Sequence, residues 1–262
     1  MTDCTGPGSP LTRLDAWYRT PLGREVAARE NACLEKMLCD TFGYYLVQVG
    51  GGERFREALA ASRIRHRILM PCSAPSGRGG LEIVGRPAEM PLATDGVDAV
   101  LLPHTLDFAA DPRRVLREVE RVLIPEGRVL VVGFNALSGW GLLRLIYRYR
   151  QRVPWCGRFL TPYRVEDWLS LLGFAVEMRE LIMLRPSLRG AWGVRLGGLD
   201  RLGRRLWPGL GGIYVIRAVK RVSTLTPLRP TWSAAHSLLG GGAIEPSARC
   251  EIARRGAEHA RV

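Results

Sequence analysis

The sequence predicts an α/β fold built on a mostly parallel sheet. Three features carry that reading. Short apolar runs that read as strands alternate with segments whose apolar residues recur at helical spacing. One run, Arg128-Val129-Leu130-Val131-Val132, is almost continuously apolar, as in strands covered on both faces. Three pairs, Thr20-Pro21, Asp111-Pro112 and Thr161-Pro162, put a capping side chain before a proline suited to the first helical position.

Taken in order, residues 1–12 are rich in Gly, Pro, Ser and Thr and read as a flexible N-terminus. A helix follows Thr20-Pro21, with Leu22, Val26, Cys33, Met37 and Leu38 on one side and Gly43 as its expected C-cap. Tyr44 to Val49 is a strand that runs into Gly50-Gly51-Gly52. Residues 53–62 form a helix, Arg67 to Met70 a second strand, Leu81 to Val84 a third and Val97 to Leu102 a fourth. Behind Asp111-Pro112, the stripe Val115, Leu116, Val119, Val122 and Leu123 marks an amphipathic helix leading to the fifth strand at 128–132. A helix over 138–152, another after Thr161-Pro162, and strands over Phe174–Met183 and Ile213–Arg221 complete the pattern. Periodicity is lost from Ser223 on. The expected organisation is therefore one domain over 13–222, with a core at 44–135 and a basic lid with late strands at 136–222, followed by a disordered tail at 223–262.

The composition, 47% hydrophobic and 24% charged over 262 residues, excludes wholesale disorder. Six cysteines without a C-x-x-C pair exclude a disulfide scaffold and a zinc ribbon, and four isolated histidines give no metal cluster. Met1 to Pro10 do not read as a secretory signal, and the longest uncharged stretch, between Arg128 and Arg144, reads as a buried strand plus a loop, so a cytoplasmic location is expected. The net charge of +13 is concentrated: residues 1–143 balance at 17 basic and 17 acidic, whereas 144–221 hold 16 basic and 5 acidic. Within that segment Arg144, Arg148 and Arg152 fall at i, i+4 and i+8, opposite Leu142, Leu145, Ile146 and Tyr149. Such a cationic face suits an anionic partner, RNA or a membrane surface.

Ligands of open α/β sheets sit beyond the carboxyl ends of the strands, so the loops after Val49, Met70, Val84, Leu102 and Val132 are the candidates. In the first, Gln48-Val49-Gly50-Gly51-Gly52, glycines allow the backbone to approach a ligand. The stretch from Arg86-Pro87-Ala88-Glu89-Met90-Pro91-Leu92 through Val97-Asp98-Ala99-Val100, and on to Arg121-Val122-Leu123-Ile124-Pro125-Glu126-Gly127, resembles the type 11 group of class I S-adenosylmethionine-dependent methyltransferases. Trp17-Tyr18, Thr20-Pro21-Leu22-Gly23 and Gly133-Phe134-Asn135 with Ser138, Trp140 and Gly141 resemble an uncharacterised bacterial branch of that group.

The resemblance implies a seven-stranded Rossmann-like sheet, to which the charge distribution adds a basic helical lid after the fifth strand. It implies S-adenosylmethionine as cofactor, bound across Gln48, Gly50, Gly51, Gly52, Pro71, Ala88, Glu89, Met90 and His104. His104, after the fourth strand, would face the cleft as a base or shape the methyl-transfer pocket; Asn135 would orient the acceptor. Glu118 and Arg121 read as a solvated helix face. The chain departs from the family pattern at four places. Gln48 replaces the acidic residue of the first loop, Arg54 its third glycine, Pro71 the ribose-binding acid and Arg86 the adenine-reading residue, near which Glu89 stands as a substitute. A lost carboxylate forfeits roughly 1.5–3 kcal/mol per hydrogen bond. The expected function is thus methyl transfer to an unknown acceptor; the alternative is a non-catalytic binding module that keeps the fold.

Overall fold

The protein is described by a computed structural model that covers residues 10–71, 81–147, 153–182 and 211–222. The expected tail at 223–262, along with Arg148 and Arg152, lies outside the described residues.

Two helices, α1 (Pro10–Tyr18) and α2 (Pro21–Leu38), precede β1 (Phe42–Val49). A 3-10 turn (Gly52–Phe55) and α3 (Arg56–Ala60) lead to β2 (Arg63–Met70) and the short β3 (Leu81–Glu82). Then come β4 (Val97–Pro103), α4 (Thr105–Phe108), α5 (Pro112–Val122), β5 (Leu123–Phe134), α6 (Gly139–Tyr147), α7 (Pro162–Leu171), β6 (Phe174–Ile182) and β7 (Ile213–Lys220). The seven strands form one sheet in the order β3-β2-β1-β4-β5-β7-β6. β1 to β5 are parallel, while β7 runs antiparallel to both β5 and β6.

All three expected caps form. The Thr20 hydroxyl accepts from Gly23 N, the Asp111 carboxylate from Arg113 N and Arg114 N, and the Thr161 hydroxyl from Arg164 N. Each satisfies donors that the first helical turn leaves unpaired.

Alternate strand residues enter two separate cores. On one side α1, α2 and Phe55 cover Leu46, Ala99, Leu101, Leu130 and Val132. On the other, α5 and α7 cover Val47, Val100, Leu102, Val129 and Val131. The α5 stripe of Val115, Leu116, Val119 and Val122 is fully buried, which stabilises by about 1.5–3 kcal/mol per side chain.

Some boundaries differ from the sequence reading. Pro10 to Thr12 belong to α1. Gly43 lies in β1, where a side chain would run into that of Asp98, and does not cap α2. β2 begins four residues early, at Arg63, because β3 flanks only Ile68 and Leu69 and leaves the arginine-bearing start at the sheet edge, where charge is tolerated. Glu118 and Arg121 are not a solvated face. The Arg121 guanidinium donates to Met90 O, Leu92 O and the Thr94 hydroxyl, while the Glu118 carboxylate accepts from Met90 N and pairs with Arg121. Together they fasten the 90–94 loop to α5.

Replacing Arg121 by Ala should therefore cost about 1–3 kcal/mol, since the Met90 and Leu92 carbonyls would be left without their donor. Thermal denaturation should register this as a fall of roughly 2–4 °C per kcal/mol. Arg121→Lys should recover only part, because one ammonium cannot span the two carbonyls that the planar fork reaches.

Candidate functional site

The backbone of Gly50, Gly51 and Gly52 is left-handed, at φ 79°, 76° and 57°. Side chains are disfavoured there, and a Cβ at Gly51 would come within 2.5 Å of Pro103 Cγ. Gly50 N donates to Met70 O, so this loop lies at the carboxyl ends of β1 and β2, on the cleft side of the sheet. Gln48 is buried beneath it, its amide donating to Gly50 O and Gly52 O at 2.6 Å each. It shapes the loop from below and leaves no donor directed into the cleft.

Arg54 follows at the end of the 3-10 turn. Its guanidinium lies 3.8 Å from the centre of the Tyr18 ring and 2.8 Å from an Asp15 carboxylate oxygen of α1. Arg54 Nε is buried without a hydrogen-bond acceptor. The Asp15 carboxylate also lies nearest to where a Gly52 side chain would project, at 3.8 Å.

His104 directly follows β4 and caps α4 in a left-handed conformation, φ 57°. It is fully buried, and its Nδ1 and Nε2 lie 3.0 Å from Asp107 Oδ2 and 2.9 Å from Glu30 Oε1. Tyr18 donates its hydroxyl to Glu30, and Phe134 N donates to Asp107. Burial alone pushes the His104 pKa down, but the two carboxylates outweigh it and raise the pKa from 6.5 to about 9. Burial pushes Asp107 upward and Tyr18 well above the usual phenol range. The structure thus corrects the expectation that His104 faces the cleft as a base: its imidazolium has no lone pair, and both N–H groups are engaged.

Asn135 is likewise a fastener. It is buried, its Nδ2 donates to Gly211 O, its Oδ1 accepts from Leu137 N, and its carbonyl accepts from the Ser138 hydroxyl. Pro71 directly follows β2, beside Gly50, and its side chain offers no acceptor. Arg86 and Glu89 bracket a tight turn. Glu89 pairs with Arg114, Ala88 packs on the α5-side core, and Met90 is buried.

Next to Asn135, a cavity of about 340 Å³ is lined by Ala136, Leu137, Leu142, Arg144, Leu145 and Phe159, among others. Here the expected faces of α6 are reversed: Leu142 and Leu145 are exposed, while Arg144 donates to Gly157 O at 2.6 Å and lies over the Phe159 ring.

Sequence reasoning missed Asp15, Tyr18 and Glu30 as site residues and treated Arg54 only as a departure. Glu30 was findable. It falls in the register Val26, Glu30, Cys33, Met37, where a charge on a buried stripe needs a partner.

The sequence model of the methyltransferase-domain family matches residues 51–131. The uncharacterised protein YafS of Escherichia coli K12 is 32% identical over 214 residues, which cover 81% of this chain and 83% of that one. The chain belongs to the class I S-adenosylmethionine-dependent methyltransferase family. Two solved structures share the fold. One is the methyltransferase of a Haloferax volcanii complex with the Trm112 activator (TM-score 0.57, 16% identity, 80% of this chain and 98% of that one). The other is a SAM-dependent methyltransferase from Archaeoglobus fulgidus (TM-score 0.52, 18% identity, 74% and 94%).

The methionyl half of the family cofactor fits the residues present in this methyltransferase. Left-handed glycines keep side chains off the loop, and the buried, unpaired Arg54 Nε is a donor of the kind its carboxylate accepts. The adenosine half meets no carboxylate at Pro71 or Arg86. Among the described residues no group of three or more His, Cys, Asp or Glu could hold a metal, and no helix is long and apolar enough to cross a membrane.

The His104 cluster gives a pH prediction. Its folded pKa lies above the unfolded value, so its contribution is complete below about pH 6.5 and is lost as pH rises through about 9. Urea denaturation of the wild type should show stability falling by about 3 kcal/mol across that window. His104→Gln should be less stable by about 3–5 kcal/mol at pH 6.5, because two buried carboxylates lose their cation, and should lack most of the slope. Parallel slopes in the two proteins would show that His104 is not the group responsible.

Proposed function

We propose that this methyltransferase binds S-adenosylmethionine with the methionyl end against Gly50–Gly52 and the carboxylate on Arg54, and that its acceptor carries its own nucleophilic lone pair. The observation that carries the reading is the buried, acceptor-less Arg54 Nε at the end of a left-handed glycine loop. When bound, the cofactor supplies an electrophilic methyl group. The chain's own residues orient and enclose. Gln48 and Thr105, whose hydroxyl donates to Val49 O, hold the loop; Arg54 holds the carboxylate; and Tyr18 on α1 covers the Arg54 guanidinium. His104 keeps its proton and positions α2 against the end of β4. Proximity and orientation therefore supply the rate. The leucine-lined cavity beside β5 suits an apolar acceptor.

Calorimetric titration with S-adenosylhomocysteine tests the reading. Wild-type affinity should be weak, in the tens-of-micromolar range, because no side-chain carboxylate receives the ribose hydroxyls or the adenine amino group. Arg54→Ala should weaken it roughly tenfold or more, whereas Asp15→Asn should tighten it by freeing the guanidinium. The double change Pro71→Asp and Arg86→Asp should tighten it about ten- to a hundredfold, with melting followed alongside. Absence of binding by every folded variant would instead favour the non-catalytic module.

A further inference from the structure

The starts of β1 and β2 carry a surface that the methyltransferase reading does not use. Phe42, Tyr44 and Tyr45 are exposed at 71%, 66% and 43%, an unusual concentration of aromatic surface within four residues. The neighbouring strand brings cations to them. Phe42 pairs in register with Arg63 and Tyr45 with His66, and Arg65 lies between. Arg63, Arg65 and Arg67 are all exposed. Among the described residues Arg63 and Arg65 have no ion-pair partner, and Arg67 reaches only the Ser62 carbonyl. The Tyr45 and His66 rings are stacked, with centroids 5.5 Å apart and planes at 26°. The nearby carboxylate, Asp98, is already committed to the backbone N–H groups of Tyr44 and Tyr45. β3 flanks only the far half of β2, so this corner lies at an open sheet edge.

Exposed rings beside unneutralised guanidinium groups match one ligand chemistry, a chain that alternates flat π faces with phosphates. A lipid headgroup layer can also meet rings and cations, but it does not call for them to repeat side by side along a line, as Phe42 and Tyr44 on β1 do next to Arg63 and Arg65 on β2; an acidic peptide has no bases to stack. Duplex bases are already stacked on one another, so only single strands can use the rings. We propose that the first residues of β1 and β2 form a docking surface for single-stranded RNA. Phe42 and Tyr44 stack on bases, and Arg63 and Arg65 bind phosphates. The surface lies at the amino ends of the strands. It is separated from the Gly50 loop by the length of β1, roughly 23 Å at 3.3 Å per residue. It is therefore a site distinct from the cofactor cleft and stands whether or not the cofactor reading holds.

The test is fluorescence anisotropy of a labelled 12-residue oligouridylate with the full chain, titrated at several salt concentrations. Phe42→Ser with Tyr44→Ser should weaken binding about tenfold or more while leaving the salt slope unchanged. Arg63→Gln with Arg65→Gln should lower the slope by about 0.7 for each phosphate no longer neutralised. The charge-matched pair Arg56→Gln with Arg117→Gln, exposed elsewhere on the molecule, should change neither stacking nor slope to that extent. All four aromatic and arginine positions are exposed, so circular dichroism and melting should stay at wild-type values. Three results would overturn the proposal: equal affinity of the aromatic variant and wild type, tighter binding of oligothymidylate or of duplex RNA, or binding to phosphatidylglycerol vesicles with none to the oligonucleotide.

Discussion

An imidazolium buried between two carboxylates is the contact around which the cleft end of the sheet is organised. Glu30 comes from the middle of α2, His104 from the junction of β4 and α4, and Asp107 from α4, so one ring ties α2 to an element 74 residues further along the chain. The left-handed backbone of His104 is unfavourable for a side chain with a Cβ and persists because both ring nitrogens are held. Losing any member would strand charge in the core: without the imidazole two carboxylates face each other, and without either carboxylate the ring loses a reason to stay protonated. The cluster extends outward through the Tyr18 hydroxyl on Glu30 and the Arg54 guanidinium over the Tyr18 ring. The position of α1 over the glycine loop thus depends on a charge that lies several side chains deeper.

The departures at Gln48 and Arg54 read as one coordinated change. A neutral amide under the loop binds its carbonyls, where an acid would have presented oxygens to the same carbonyl-lined space and been repelled. A cation at the loop's far end then faces Asp15 through one nitrogen and keeps a buried Nε without an acceptor. The carboxylates missing at positions 71 and 86 have no such replacement, since Glu89 is drawn away by Arg114. The positions expected to face the two halves of the family cofactor therefore differ in chemistry, with a cationic donor at one end and no side-chain carboxylate at the other.

Much of the fold was legible because local signals agreed with one another. The three proline-backed caps, the α5 stripe and the apolar β5 each stand on residues close in sequence, and all formed. The site was less legible because its meaning lies in distant pairs. His104 read alone is a strand-end base; Glu30, 74 residues away, makes it an imidazolium. Arg144 read on a helical wheel is a solvated cation; the carbonyl of Gly157 turns it inward and sends Leu142 and Leu145 outward. Arg121 needed the loop at 90–94, and Asn135 needed Gly211, before either could be seen as a fastener. The start of β2 was hidden by its arginines, which an edge strand accommodates and a central one would not.

A locked imidazolium also constrains the chemistry. A base at the end of β4 would let the protein activate a weak nucleophile such as an alcohol. Raised in pKa by two carboxylates and hydrogen-bonded through both ring nitrogens, His104 is unsuited to proton abstraction. An acceptor whose lone pair is already available at neutral pH then suits the site better than one that must first be deprotonated. Under the proposed function, selection among such acceptors would fall to shape and polarity at the β5 end, where Leu137, Leu142, Leu145 and Phe159 line a cavity together with Ser138 and Arg144. Under the proposed function, the burial that makes the His104 cluster a structural anchor would also leave the cleft to work by orientation rather than through this histidine as a base.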